Sequence, residues 1–261
     1  MGVVNITPDS FSDGGQFFDA ARAIAHAFRL IEEGADLLDV GGESSRPGAR
    51  SVPAEEELVR VLPLLNALRD SPIPVSVDTT KPQVMRAAMD AGAAMINDIS
   101  ALSAPGALEA IASSAEVAVC LMHMKGEPST MQQAPVYDDV VSEVLAFLAG
   151  KAGAVAAAGI ARDRIVVDPG FGFGKTLAHN LEMLRRLDEF NAIGLPVMAG
   201  LSRKSTLGKL SGKPVTGRLP ASIAAAVLAA ERGARIVRVH EVDATRDALS
   251  VLNALLGNDR P

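Results

Sequence analysis

The chain has 261 residues, 48% of them hydrophobic, a formal net charge of -6 and a single cysteine, Cys120. That length and apolar content can fill one large core, one cysteine excludes a disulfide scaffold, and no Trp, one Tyr and no basic tract leave no case for nucleic-acid binding. No basic segment opens the chain and no apolar stretch is read as approaching about 18 residues, so neither a signal peptide nor a membrane span is expected and a cytoplasmic protein is.

In chain order, eight short apolar runs each end in a polar cluster. Val3-Val4 runs into Asn5, Leu37-Leu38 into Asp39 and Glu43, Val75-Ser76-Val77 into Asp78, and Met95-Ile96 into Asn97-Asp98. Val117 to Met122 then runs into His123, Ile165-Val166-Val167 into Asp168, Val197-Met198 into Ser202-Arg203-Lys204, and Ile236-Val237 into Arg238 and His240. Between them, helical spacing predicts helices over Ala20 to Glu33, Glu55 to Arg69, Pro82 to Ala91, Val140 to Ala158, Leu177 to Asp188, Ala221 to Arg232 and Ala244 to Leu256, with Ala107 to Ser113 the weakest.

Strands that are apolar throughout are buried on both faces, and strands separated by helices are joined by right-handed crossovers and pair in parallel. Eight such units fit a (β/α)8 TIM barrel, one domain over residues 1–261. A doubly wound open sheet, with fewer strands and one crevice, fits less well. In a barrel the loops after the strands converge on one face, so polar clusters distant in sequence become neighbours.

Two motifs are set aside. The stretch from Gly170 to Thr176 looks like a phosphate loop, but Pro169 stands where that loop needs Gly, and the glycine spacing is not that of a dinucleotide site. The four histidines are scattered without a second ligand at metal spacing, so no zinc site is expected; His26 and His179 read as surface or helix residues, and Cys120 as a buried, inert thiol.

Asp39, Asp78, Asn97 and Asp168 close four different strands and suit reading a flat, hydrogen-bonding heterocycle edge-on; the alternative is that each caps the next helix. Arg203, Lys204, Arg238 and His240 close the last two strands, where such barrels frequently bind phosphate, so an anionic ligand is expected. The loops Thr7 to Gly15 and Gly41 to Gly48, dense in Gly, Ser, Asp and Pro, suit lids that order over a substrate.

The stretches MGVVNITPDSFSDGG, DVGGESSRPGA, VSVDTTKP, INDIS, LMHMKG, DPGFGFGKT, GLSRKS and RVHEV, in this order and nearly end to end, resemble the dihydropteroate synthase family of the bacterial folate pathway. The resemblance implies a Mg2+-dependent condensation of 6-hydroxymethyl-7,8-dihydropterin diphosphate with p-aminobenzoate, giving 7,8-dihydropteroate and diphosphate, and competitive inhibition by sulfonamides. By motif it implies a pterin pocket of Asp78, Asn97, Met122, Asp168 and Lys204, and a diphosphate site of Asn5, with Mg2+, and Arg238 and His240. Phe11, Ser45, Arg46, Pro47, Phe173 and Ser202 would bind p-aminobenzoate; Asp78, Lys204 and Asp13 are the catalytic candidates, Asp13 by ordering the closed first loop.

The family is usually dimeric, and a homodimer is expected on that ground alone, since the Ala-rich stretch Ala221 to Ala230 reads mostly as barrel burial. Three departures stand out: the chain begins at Met1 inside the first strand, where relatives usually carry additional residues, Glu241 replaces a common Asp, and Lys125 a common Gln. A methyltetrahydrofolate-dependent methyltransferase would share the pterin pocket but not need Arg238, His240 and the first loop. A non-catalytic pterin-binding paralogue would lose Asn5, Arg46 or Lys204, all present here.

Overall fold

The computed structural model describes residues 1–6, 16–46, 48–49 and 51–257. Strand β1 (Gly2–Asn5) is followed by α1 (Gln16–Glu32), β2 (Leu38–Gly41), α2 (Ala54–Ala67), β3 (Val75–Asp78), α3 (Pro82–Asp90), β4 (Met95–Asp98) and α4 (Ala107–Ala112). The second half runs β5 (Ala118–Met122), α5 (Val140–Ala157), β6 (Ile165–Asp168), α6 (Leu177–Arg185), β7 (Val197–Ala199), α7 (Ser205–Ser211), α8 (Leu219–Glu231), β8 (Ala234–Val237) and α9 (Val242–Leu255).

The eight strands lie side by side in sequence order, every neighbouring pair parallel. The ring closes where the chain beyond β8 bridges Gly2 through Val239, whose amide donates to Met1 O and whose carbonyl accepts from Val3 N, both at 3.0 Å. This is the expected (β/α)8 barrel.

Successive strand side chains point to opposite faces, which sorts the apolar residues into two compartments. One set, including Val4, Leu38, Val40, Val77, Ile96, Val119, Leu121, Ile165 and Val167, packs with the wall helices. The other, Met1, Met95, Cys120, Val166 and Met198, plugs the barrel interior. Two residues beyond Met95, Cys120, Val166 and Ile236, and hence on the same inner face, stand Asn97, Met122, Asp168 and Arg238. The barrel thus carries an apolar floor and a polar mouth. Cys120 is buried in that floor, which pushes its thiol well above the ordinary range, as an inert thiol requires.

Three differences from the sequence reading have physical causes. Helix α7 had no counterpart, being one short turn-rich segment whose buried residues are only Thr206 and Leu207. The helix expected to run to Asp188 stops at Arg185 and tightens into a 3-10 turn from Leu187 to Ile193. Helix α5, at 18 residues and a mean hydropathy of 1.6, is long and apolar enough to cross a membrane, so the expectation that no stretch reaches that length is corrected. It is a wall helix, with Val140, Val141, Val144, Leu148, Ala152 and Val155 buried where it packs along β5 and β6.

Candidate active site

Strand register sets the mouth. Asn5 pairs with Gly41, Gly41 with Asp78 and Asp78 with Asn97, so four residues from β1 to β4 form one row across the ladder. Met122 pairs with Asp168 on the far side. Gly41 puts no side chain between Asn5 and Asp78, and a Cβ there would stand in van der Waals contact with both, 3.6 Å from Asn5 Oδ1 and from Asp78 Cβ.

Arg238 is tied down inside this ring. Its Nε donates to Asp39 Oδ2 at 2.6 Å and its Nη2 to Asp78 Oδ2 at 3.1 Å. Asp39, fully buried, also accepts from Asn97 Nδ2 at 3.1 Å. Burial works against the Arg238 charge, but Asp39 and Asp78 outweigh it and its pKa is raised further. Among the described residues two of its five N–H donors are occupied, leaving three that an anion could meet. Asp39 Oδ1 and Asn97 Oδ1 are buried acceptors without a hydrogen-bond partner among the described residues. Such atoms cost free energy until a donor meets them.

Burial pushes the Asp78 carboxyl up to about 7 against the pull of Arg238, with Asp39 adding repulsion. The Asp168 carboxyl is raised by the same cause, while Lys204 and the Gly170 amide, which donates to Oδ1 at 2.7 Å, draw it back. Lys204 is pushed down to about 8 by burial, Asp168 opposing. Its ammonium donates to Phe171 O and sits 4.7 Å from the centre of the half-buried Phe173 ring. The helix-capping alternative fails for Asp39, Asp78 and Asn97, whose bonds run across the barrel. The neighbouring Asp98 makes the local bonds instead, to the amides of Ser100 and Leu102.

His240 stands at the rim with Nδ1 3.0 Å from Ser202 Oγ. Burial, then Arg203, Arg238 and Arg46, push its imidazolium down to about 3, so it is neutral at physiological pH. The same hydroxyl donates to Glu241 at 3.5 Å. Arg203, left-handed at φ 58, donates from its amide to Ser222 Oγ and pairs its guanidinium with Glu241. The larger acid at position 241 reaches a neighbouring cation. Ser45 is half-buried and Arg46 exposed in the β2–α2 loop. Phe11, Asp13 and Pro47 lie outside the described residues.

Lys175 went unnoticed in the sequence. Only 2% exposed, it directs its amine at His123 Nδ1 (2.9 Å), Gly170 O and Phe173 O (3.0 Å each) and His123 O (3.4 Å). Burial lowers it to about 7, and burial together with Lys175 lowers His123 to about 3. The glycine-rich stretch folds around this amine, not around a phosphate. A Cβ on Gly170 would lie 1.9 Å from His123 O and one on Gly174 2.3 Å from Lys125 O, both at positive φ. The signal available in the sequence was a lysine inside a run of glycines beside a buried strand end.

The mouth can therefore present carboxylates, an amide and an ammonium to a planar ring, and arginine donors to an anion beside it. A model of the pterin binding enzyme family matches residues 1–240. The dihydropteroate synthase of Escherichia coli K12 is 50% identical over 98% of this chain and 91% of its own. Among solved structures, dihydropteroate synthase of Xanthomonas albilineans with 4-aminobenzoic acid superposes with a TM-score of 0.93 at 53% identity, covering 100% of this chain and 93% of that one. The Yersinia pestis enzyme with a sulfonamide drug gives 0.94 at 46%, covering 98% and 94%.

Proposed function

The chain belongs to the dihydropteroate synthases of the pterin-binding enzyme family, and from that premise we propose how its residues divide the work. The activity is the condensation of 6-hydroxymethyl-7,8-dihydropterin diphosphate with p-aminobenzoate to 7,8-dihydropteroate and diphosphate. Asp168 accepts from the pterin's guanidine-like edge, Lys204 donates to its carbonyl and ring nitrogen, Asn97 offers its amide oxygen to a ring N–H, and Met122 packs against the ring. What carries this assignment is the Asp39–Arg238–Asp78 bridge, which fixes a cation whose remaining donors, like Asn97 Oδ1 beside it, have no partner among the described residues.

As the bond from the exocyclic carbon to the diphosphate oxygen breaks, the electron pair leaves with diphosphate, whose growing charge meets Arg238. His240, neutral, adds a hydrogen bond from the rim. The cationic pterin left behind lies by the Asp78 carboxylate until the p-aminobenzoate nitrogen forms the new C–N bond and loses a proton. Phe11, Ser45, Arg46 and Pro47 on the early loops and Phe173 and Ser202 opposite would enclose that second substrate, Arg46 facing its carboxylate. Asp13 would order the closed loop.

Among the described residues no group of three or more His, Cys, Asp or Glu is placed to hold a metal. Mg2+ usually takes one or two protein oxygens and completes its shell with water and substrate phosphates, and the single amide oxygen of Asn5, beside the side-chain-less Gly41, fits that use. Asn5 would hold Mg2+, which would supply charge neutralisation to the leaving group. A cytoplasmic homodimer is the accompanying proposal. Exposed Leu228 on α8 and Val251 and Leu255 on the adjoining α9 support a covered face; light scattering on the eluted protein tests it, and a monomer at micromolar concentration would remove it.

Coupled assay of diphosphate and dihydropteroate in Asn97→Ala and Asp168→Asn tests the pocket. Each should lose kcat/KM for the pterin by about 10-fold or more, and unchanged pterin kinetics in either would reject the assignment of that residue.

A further inference from the structure

A second charged cluster lies outside the mouth, beneath the β2–α2 loop. Lys81, three residues after Asp78, places its ammonium 2.5 Å from both Glu43 Oε2 and Glu57 Oε2. Glu57 is completely buried on α2 and its second oxygen has no partner among the described residues. Glu43 Oε2 also accepts from Val52 N at 2.9 Å and Ser51 Oγ at 3.3 Å. One carboxylate therefore pinches the loop where it leaves β2 and where it returns to α2.

The leaving end is pinned as well. Arg60 Nη1 donates to Gly42 O at 2.7 Å, and a Cβ on Gly42 would meet Val61 at 2.8 Å, so the backbone lies directly on α2. Between these two feet the loop carries Ser45, Arg46 and Pro47. Two carboxylates sharing one ammonium, with a buried oxygen left over, is a poor arrangement for stability alone, since desolvation offsets most of what such pairs gain. Burial works against the Lys81 charge, yet Glu43 and Glu57 outweigh it and raise its pKa, so the ammonium that bridges them keeps its charge.

We propose that Lys81 is a positioning residue for the second substrate: by bridging Glu43 and Glu57 it holds the neck of the β2–α2 loop so that Arg46 and Ser45 face p-aminobenzoate. The inference rests on the assignment of that loop to p-aminobenzoate. It also joins the two halves of the reaction, because the turn that follows the pterin carboxylate Asp78 delivers the cation that sets the neighbouring loop.

The test is steady-state kinetics of the full chain as wild type, Lys81→Met, Lys81→Arg and Glu43→Gln, with both substrates varied and a sulfonamide as inhibitor. Lys81→Met and Glu43→Gln should raise KM for p-aminobenzoate and Ki for the sulfonamide by about 10-fold, leave KM for the pterin diphosphate within about twofold, and Lys81→Arg should recover most of the loss. A merely structural cluster would move both KM values together with the thermal midpoint, and that result, or no change in KM for p-aminobenzoate, overturns the proposal. Should Lys81→Met not fold, Glu43→Gln, nearly isosteric, decides by the same split. A wild type that makes no dihydropteroate overturns the function itself, whereas an active wild type whose variants show no split overturns only this inference.

Discussion

Replacing Asp78 by Asn should stabilise the protein while abolishing its activity, and the gain should depend on pH in a calculable way. The Asp78 carboxyl titrates near 7 in the folded chain against an ordinary value of 3.8. Below about pH 3.8 both folded and unfolded chains hold the proton and the group contributes nothing to the pH dependence. Between there and about 7 the unfolded chain gives up its proton and the folded one keeps it, so stability falls as pH rises. Three units at about 1.36 kcal/mol each make the full loss about 4 kcal/mol. Asn keeps the shape and cannot ionise, although it weakens the 3.1 Å contact to Arg238, which Asp39 retains. Urea midpoints at pH 4, 5, 6, 7 and 8 are the assay: the stability of Asp78→Asn minus that of wild type should widen by about 2–4 kcal/mol from the acid to the neutral end. A difference that stays flat, or narrows, would refute the idea that this carboxylate is held ionised against its surroundings for function.

Other outcomes follow from the same geometry. The profile of kcat/KM for the pterin diphosphate should be bell-shaped, falling below about 7 as Asp78 takes a proton and above about 8 as Lys204 loses one; titration of the rate across pH 5–10 checks both limbs. Arg238→Lys cannot span Asp39 and Asp78 together and should lower kcat/KM by about 30- to 100-fold with little change in fold, read by kinetics beside circular dichroism. Lys175→Met strands the carbonyls of Gly170 and Phe173 and should cost about 2–4 kcal/mol by urea denaturation. A chelator should stop product formation and added Mg2+ restore it, while pterin without its diphosphate still binds, as isothermal titration would show.

The barrel was legible because eight buried strands alternate with helices, a pattern carried by local sequence. Asp78, Asn97 and Asp168 were legible for a related reason: a polar residue at an inward-facing position at the end of an apolar strand points into the barrel mouth, whereas Asp98, on the other face, caps its own loop. What Arg238 touches was not. Its partners Asp39 and Asp78 lie 199 and 160 residues away, and no periodicity encodes a contact that exists only once the ring closes. Lys175 was hidden for another reason, since a lysine among glycines suggests an exposed phosphate ligand and here the glycines allow backbone to wrap it. Glu43 was visible only as a loop residue; its role at the neck of its own loop appears once Lys81 and Val52 are placed. Helix α7 escaped because seven residues with two buried side chains leave no helical pattern to detect.

Dihydropteroate formation by the purified chain given 6-hydroxymethyl-7,8-dihydropterin diphosphate, p-aminobenzoate and Mg2+, with diphosphate followed in parallel, is the most direct test of the synthase activity. Equal amounts of dihydropteroate and diphosphate, competitively suppressed by a sulfonamide against p-aminobenzoate, are the predicted result. Tight binding of the pterin substrate with no dihydropteroate at any Mg2+ concentration would contradict it.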